Sequence, residues 1–153
     1  MPTETAPPRE CNCLAIRQAA RHVTQFYDHH LARSGLRTTQ FSILAKLRRL
    51  GPMTINALAA DMVMDRTTLG RNILPLERDG LIAIKRSLDD RRAKQLHLTP
   101  AGAERLRGAV KRWAAAQSEF EAVFGPERSA ELRGLLATVV ALDLGPAVEA
   151  VRY

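Results

Sequence analysis

The chain has 153 residues, 46% hydrophobic and 25% charged, and its 23 Lys+Arg against 16 Asp+Glu give a formal charge of +7. That composition belongs to a folded chain of one domain, or one domain extended by helices that pair with a second copy, and it excludes an acidic or low-complexity tail. No apolar run reaches the roughly 18–20 residues of a membrane span, and aromatics at 5% argue against a single-strand binder that stacks bases on rings.

Residues 1–10, MPTETAPPRE, read as a disordered lead-in without the apolar core of a signal peptide. With only Cys11 and Cys13 there is no disulfide framework, so a cytoplasmic protein with no membrane partner is expected. From about Asn12 to Ala32, the residues Ile16, Ala20, Val23, Tyr27 and Leu31 recur at steps of three and four, a helical stripe ended by Ser34-Gly35. Thr39 is expected to cap a second helix with Phe41, Leu44, Ala45 and Leu47 inward, ending at Gly51-Pro52. Thr54 caps a short third helix containing Leu58 and Ala59. Asp65 caps a fourth that runs to about Asp79, with Gly80 as its left-handed stop. Ile82 and Ile84, then Leu96 and Leu98, alternate with other residues as two half-buried strands do, joined by the charged loop 87–93. Thr99-Pro100 opens a long helix whose stripe Leu106, Val110, Trp113, Gln117, Phe120 and Phe124 steps by four and three, as in a helix packed along another. Gly125-Pro126 breaks it, and a last helix carries Leu132, Leu135, Leu136, Val139 and Leu142.

The charge is unevenly spread. Residues 37–99 hold twelve basic and six acidic side chains, whereas 1–36 are nearly balanced and 100–153 carry seven of each sign. A concentration of this kind favours a binding surface for a polyanion over a merely solvated face. Two short helices followed by a charged β-hairpin make a winged helix-turn-helix. The expected fold is therefore mainly α with a small β-hairpin wing, the winged domain at 37–99 being flanked by helices at 11–36 and 100–153. In the fourth helix Leu69, Ile73 and Leu76 share the inward side, while Thr67, Arg71 and Arg78 project from the other, flanked by Thr68 and Gly70. Hydroxyls and guanidinium groups on the first exposed turns suit the reading of base edges. Arg66, Thr67, Thr68, Arg71 and Asn72 are thus candidate contacts to double-stranded DNA. In the wing, Arg92 is the candidate minor-groove contact with Asp90 orienting it, and Lys94 adds charge.

These segments resemble the MarR family of bacterial transcriptional regulators. The resemblance is carried by Asp65-Arg66-Thr67-Thr68-Leu69 through Leu76-Glu77-Arg78-Asp79-Gly80-Leu81-Ile82, then Asp90-Arg91-Arg92-Ala93-Lys94 and Leu98-Thr99-Pro100-Ala101-Gly102. It implies a homodimeric, DNA-binding repressor on a near-palindromic operator, with 11–36 and 100–153 as its dimerisation helices, released by a small phenolic or aromatic ligand. Cys13 and Tyr27 match positions of the OhrR peroxide-sensing branch, whose other two tyrosines are Arg17 and Thr38 here, so an oxidant-sensing repressor acting through Cys13, with Cys11 as a resolving thiol, is the alternative. The bland reading of Cys13 is a small buried apolar residue. A metal site from Cys11, Cys13, His22, His29 and His30 lacks a second paired cluster, so no metal or cofactor is expected. No glycine-rich phosphate loop or Gly-x-Ser-x-Gly pattern supports an enzyme, and no catalytic residue is assigned. The remaining rival is a winged helix used for protein contact, which would favour exposed apolar anchors on the fourth helix.

Overall fold

The computed structural model describes residues 10–145; nearly all of the expected lead-in, 1–9, lies outside them, as does 146–153. Six helices and three short strands follow in the order α1 (Asn12–Leu31), α2 (Thr38–Leu50), β1 (Met53–Thr54), α3 (Ile55–Asp61), α4 (Arg66–Arg78), β2 (Ile82–Arg86), β3 (Lys94–Leu98), α5 (Pro100–Phe124) and α6 (Pro126–Ala141). The chain divides into two compact units, one through Gln117 and one from Ser118.

The first unit is built on one apolar core. Leu31, Ile43, Leu44, Leu58, Leu69, Leu76, Ile82 and Leu106 are fully buried and join Leu36, Phe41, Leu47 and Ile73 in a continuous cluster. On α4 the inward positions Leu69, Ile73 and Leu76 are those expected from the helical period. On α5 the buried positions are Gly102, Leu106, Ala109 and Ala116, so small residues let its neighbours approach closely. Of the expected α5 stripe Leu106 is buried, whereas Val110 and Trp113 are partly exposed, with the Trp113 ring stacked on Phe41 at 6.0 Å.

Two local expectations are corrected. The sheet has three strands in the order β1-β3-β2, all antiparallel, with Met53 opposite Leu96 and Ile84 opposite the same residue from the other side. β1 is two residues long, too short for any period to announce it. Helix α2 starts at Thr38, one residue before the expected cap. Its first turn is held from another helix, where the Asp28 carboxylate accepts from both the Thr38 N–H and the Thr38 hydroxyl at 2.7 Å, and from within, where the Gln40 side chain accepts from the Arg37 N–H at 3.0 Å. The caps at Thr54, Asp65 and Thr99 are as expected: each side-chain oxygen accepts the N–H three residues on, at 3.1, 2.8 and 3.0 Å.

Helices α3 and α4 end alike. Each closes with two backbone bonds, Met64 N–H to Ala59 O and Val63 N–H to Ala60 O in α3, Leu81 N–H to Leu76 O and Gly80 N–H to Glu77 O in α4. The left-handed position is Gly80 (φ 72°) in one and Val63 (φ 51°) in the other, and Val63 is the positive-φ non-glycine residue among those described. A β-branched side chain is strained there, and at 70% exposure it gains nothing from packing. Val63→Gly is therefore expected to stabilise the fold by about 1 kcal/mol, after allowing for the greater freedom of glycine in the unfolded chain, read as a rise of roughly 3 °C in Tm.

In the second unit the Phe120 and Phe124 rings lie 5.5 Å apart, the Arg128 guanidinium sits 4.5 Å over Phe124, and Arg133 bonds Glu121 at 3.1 Å. Helix α6 leaves Leu135, Leu136, Val139 and Val140 exposed.

Candidate nucleic-acid interface

The interface is built from the turn before α4, the outer face of that helix, and the loop between β2 and β3. Asp65 sets the first of these. Its carboxylate accepts from the Thr68 hydroxyl at 2.5 Å and the Thr68 N–H at 2.8 Å, and these bonds, the hydroxyl first, hold its carboxyl below the ordinary value of 3.8. The carboxylate is fully solvent-facing, so Asp65 favours the folded state most above that ordinary value and loses the effect as pH falls through its lowered one. Asp65→Asn keeps a capping oxygen and removes the charge. Its Tm is expected below the parent's at pH 7 and equal to it once the pH falls below the folded pKa of Asp65, checked by thermal melts across that range.

This cap takes the Thr68 N–H of the first turn and sets a negative charge at the N-terminus of α4. The Thr68 hydroxyl proton is committed to Asp65, and the Asn72 amide donates to the Thr68 carbonyl at 2.9 Å. Arg66, Thr67 and Arg71 are exposed on the outer face. Beside them stands Leu74, 63% exposed, an apolar residue on that face that the sequence reading did not single out.

In the wing, the loop 87–93 is closed by its own hydrogen bonds. The Ser87 N–H donates to Ala93 O at 2.8 Å, and the hydroxyl oxygen of the buried Ser87 accepts from the N–H groups of Asp89 and Asp90 at 3.3 and 3.4 Å. Asp90 accepts the Arg92 N–H on its side chain at 2.9 Å and the Ala93 N–H on its carbonyl at 3.0 Å. Asp90 thus fixes the backbone of Arg92 and not, as expected, its guanidinium. Arg91, Arg92 and Lys94 all face solvent. His97, on β3 opposite Ala83, has a buried Nε2 with no hydrogen-bond partner, so that nitrogen is not offered to a phosphate.

The other candidates lie elsewhere. Cys13 is exposed on the first turn of α1, against the bland expectation of burial, and Cys11 is the N-cap, its Sγ accepting the Leu14 N–H at 3.4 Å. Cys13 and Tyr27 lie on the same helix, about 21 Å apart along its axis, so they do not meet within one chain. The Tyr27 hydroxyl donates to the Gln117 side chain at 2.6 Å. Among the described residues no three of His, Cys, Asp and Glu come together as a metal set, and no helix is long and apolar enough to cross a membrane.

The MarR family profile matches residues 36–94, spanning α2 through the wing. Over 89% of its length the chain superposes on the whole of the transcriptional regulator MosR of M. tuberculosis, with 35% identity and a TM-score of 0.75. The chain belongs to the MarR family. A second MosR structure, in complex with DNA, is 38% identical with a TM-score of 0.73, covering 87% of this chain and all of that one. YwoH of Bacillus subtilis, described as an uncharacterized HTH-type transcriptional regulator, is 33% identical over 84 residues, 55% of this chain and 61% of its own. The chain thus spans about three fifths of the curated relatives it matches first. The family's fold, a winged helix-turn-helix with further helices on both sides, is the one described above, and the match to its profile covers every candidate contact on α4 and in the wing.

Proposed function

We propose that this MarR-family chain is a transcriptional regulator that binds a near-palindromic duplex DNA site as a homodimer. The observation that carries the reading is the outer face of α4, where Arg66, Thr67 and Arg71 all stand exposed on a helix whose opposite face is locked in the core. The fixed and cationic wing supports it, and so does the MosR structure in complex with DNA. Thr67 and Arg71 are assigned to base edges, Arg66 to the backbone, and Arg92 and Lys94 to the wing's contact with the flanking groove. Thr68 and Asn72 act behind them by holding the first turns of α4.

The dimer rests on apolar surface that a monomer leaves wet: Leu135, at 67% exposure, with Leu136, Val139 and Val140 on α6, and Ile16 on α1. Repression released by a small aromatic acid or phenol completes the reading. A crevice of about 670 Å³, lined by Asp28, Arg37, Gln40, Arg78 and Asp79 among others, offers both cationic and carboxylate groups to such a ligand, the Arg78 guanidinium being paired with Asp79 at 3.2 Å. The test is a gel shift of sheared genomic duplex DNA at two salt concentrations. Retardation at low salt that weakens steeply at higher salt is expected, since each phosphate neutralised releases counterions. No retardation at low salt, or binding indifferent to salt, overturns the DNA reading.

A further inference from the structure

We propose that Leu88 is an apolar wedge that the wing drives into the minor groove, partly unstacking a base step; this rests on the reading of the chain as a binder of duplex DNA. Leu88 is 100% exposed, the second residue of the loop between β2 and β3. A lone leucine on a helix surface means little, because soluble proteins leave much apolar area wet. This one differs in its mounting. The loop that carries it is closed by the Ser87 and Asp90 hydrogen bonds, none of which uses the Leu88 side chain, so the leucine is held out by a framework that does not need it. Such a preformed loop loses little conformational freedom on meeting a partner.

The surroundings decide which partner. Lys85, Arg86, Arg91, Arg92 and Lys94 outnumber Asp89 and Asp90 around the leucine, so an apolar surface or a second copy with the same charge is disfavoured and a polyanion is attracted. On duplex DNA, a leucine framed by arginines matches the chemistry of minor-groove wedges: the guanidinium groups answer the phosphates and the groove's negative potential, while the isobutyl group enters between bases. The arginine-in-groove assignment alone leaves Leu88 without a role.

The test uses the full chain and a library of 30-bp duplexes with randomised sequence. Parent, Leu88→Ser and Leu88→Met are each put through selection, and the duplex most enriched by the parent then serves as probe for affinity and for bend angle by circular permutation. The parent is expected to enrich flexible pyrimidine–purine steps at the positions under the wing and to bend the probe. Leu88→Ser is expected to lose about tenfold in affinity together with that step preference and the bend, whereas Leu88→Met keeps all three. Because the side chain touches nothing in the fold, unchanged circular dichroism and Tm are expected for both variants. Leu88→Ser matching the parent in affinity, step preference and bend overturns the wedge and leaves DNA binding standing. So does a loss of affinity without change in step preference or bend, or a change in oligomeric state alone. A parent that enriches no duplex at all overturns the DNA reading and the wedge with it.

Discussion

Gly102→Ala is expected to lower the Tm by roughly 10 °C, a loss on the order of 3–5 kcal/mol and far more than an alanine normally costs in a helix. A Cβ at this position would lie 2.1 Å from the Leu81 carbonyl oxygen and 2.8 Å from a methyl carbon of Leu98. The first contact is with backbone, which no rotamer change relieves, so α5 must move away from the start of the sheet. That movement also strains the clamp beside it, where the Thr99 hydroxyl donates to Gly80 O at 2.6 Å while accepting the Gly102 N–H, and the Thr99 N–H reaches Leu81 O at 3.2 Å. In isolation, Gly→Ala in a helix stabilises by up to about 1 kcal/mol. The sign of the measured change in a thermal or urea melt therefore decides whether the close approach governs. Gly108, on the same helix with open space where a Cβ would stand, is the control, and Gly108→Ala is expected to be neutral or stabilising.

The second large effect concerns recognition. Arg71→Ala is expected to weaken binding to a duplex selected by the parent by about 10- to 100-fold, and to broaden the selected sequence at one position in each half-site. Arg71 is exposed on α4 one turn beyond Thr67, while Leu69 and Ile73 on the inner side keep the helix in place. The variant should therefore fold as the parent does. Lys94→Ala provides the contrast: a modest loss shared by all duplexes, with the salt dependence reduced by about one counterion per protomer, as befits a phosphate contact. If Arg71→Ala behaved like Lys94→Ala, its assignment to a base edge would fall even though the binding surface stood.

Much of this molecule is written locally. The inward triad Leu69, Ile73 and Leu76 follows from a helical period, and it decides by subtraction that Arg66, Thr67 and Arg71 face out. The caps at Thr54, Asp65 and Thr99 and the stop at Gly80 are each set by a side chain or glycine acting within three residues. The strands β2 and β3 are legible because their alternation is long enough to have a period.

What escaped the sequence are contacts between residues distant in the chain. Asp28 starts α2 from ten residues away, and two-residue β1 exists only because Leu96 stands opposite Met53. The exposure of Leu88 and Leu74 cannot be read from a pattern that marks every leucine as apolar.

The sequence by itself determined the helices with their caps, the hairpin, the placing of positive charge between residues 37 and 99, and through these the family. Those properties depend on interactions within a turn or two and on simple counts. Only the tertiary structure decided that the Asp28 carboxylate starts α2, that the two residues of β1 pair with β3, and that Gly102 must be glycine. Each of those turns on how closely distant parts of the chain approach, which hydrophobic periodicity does not encode.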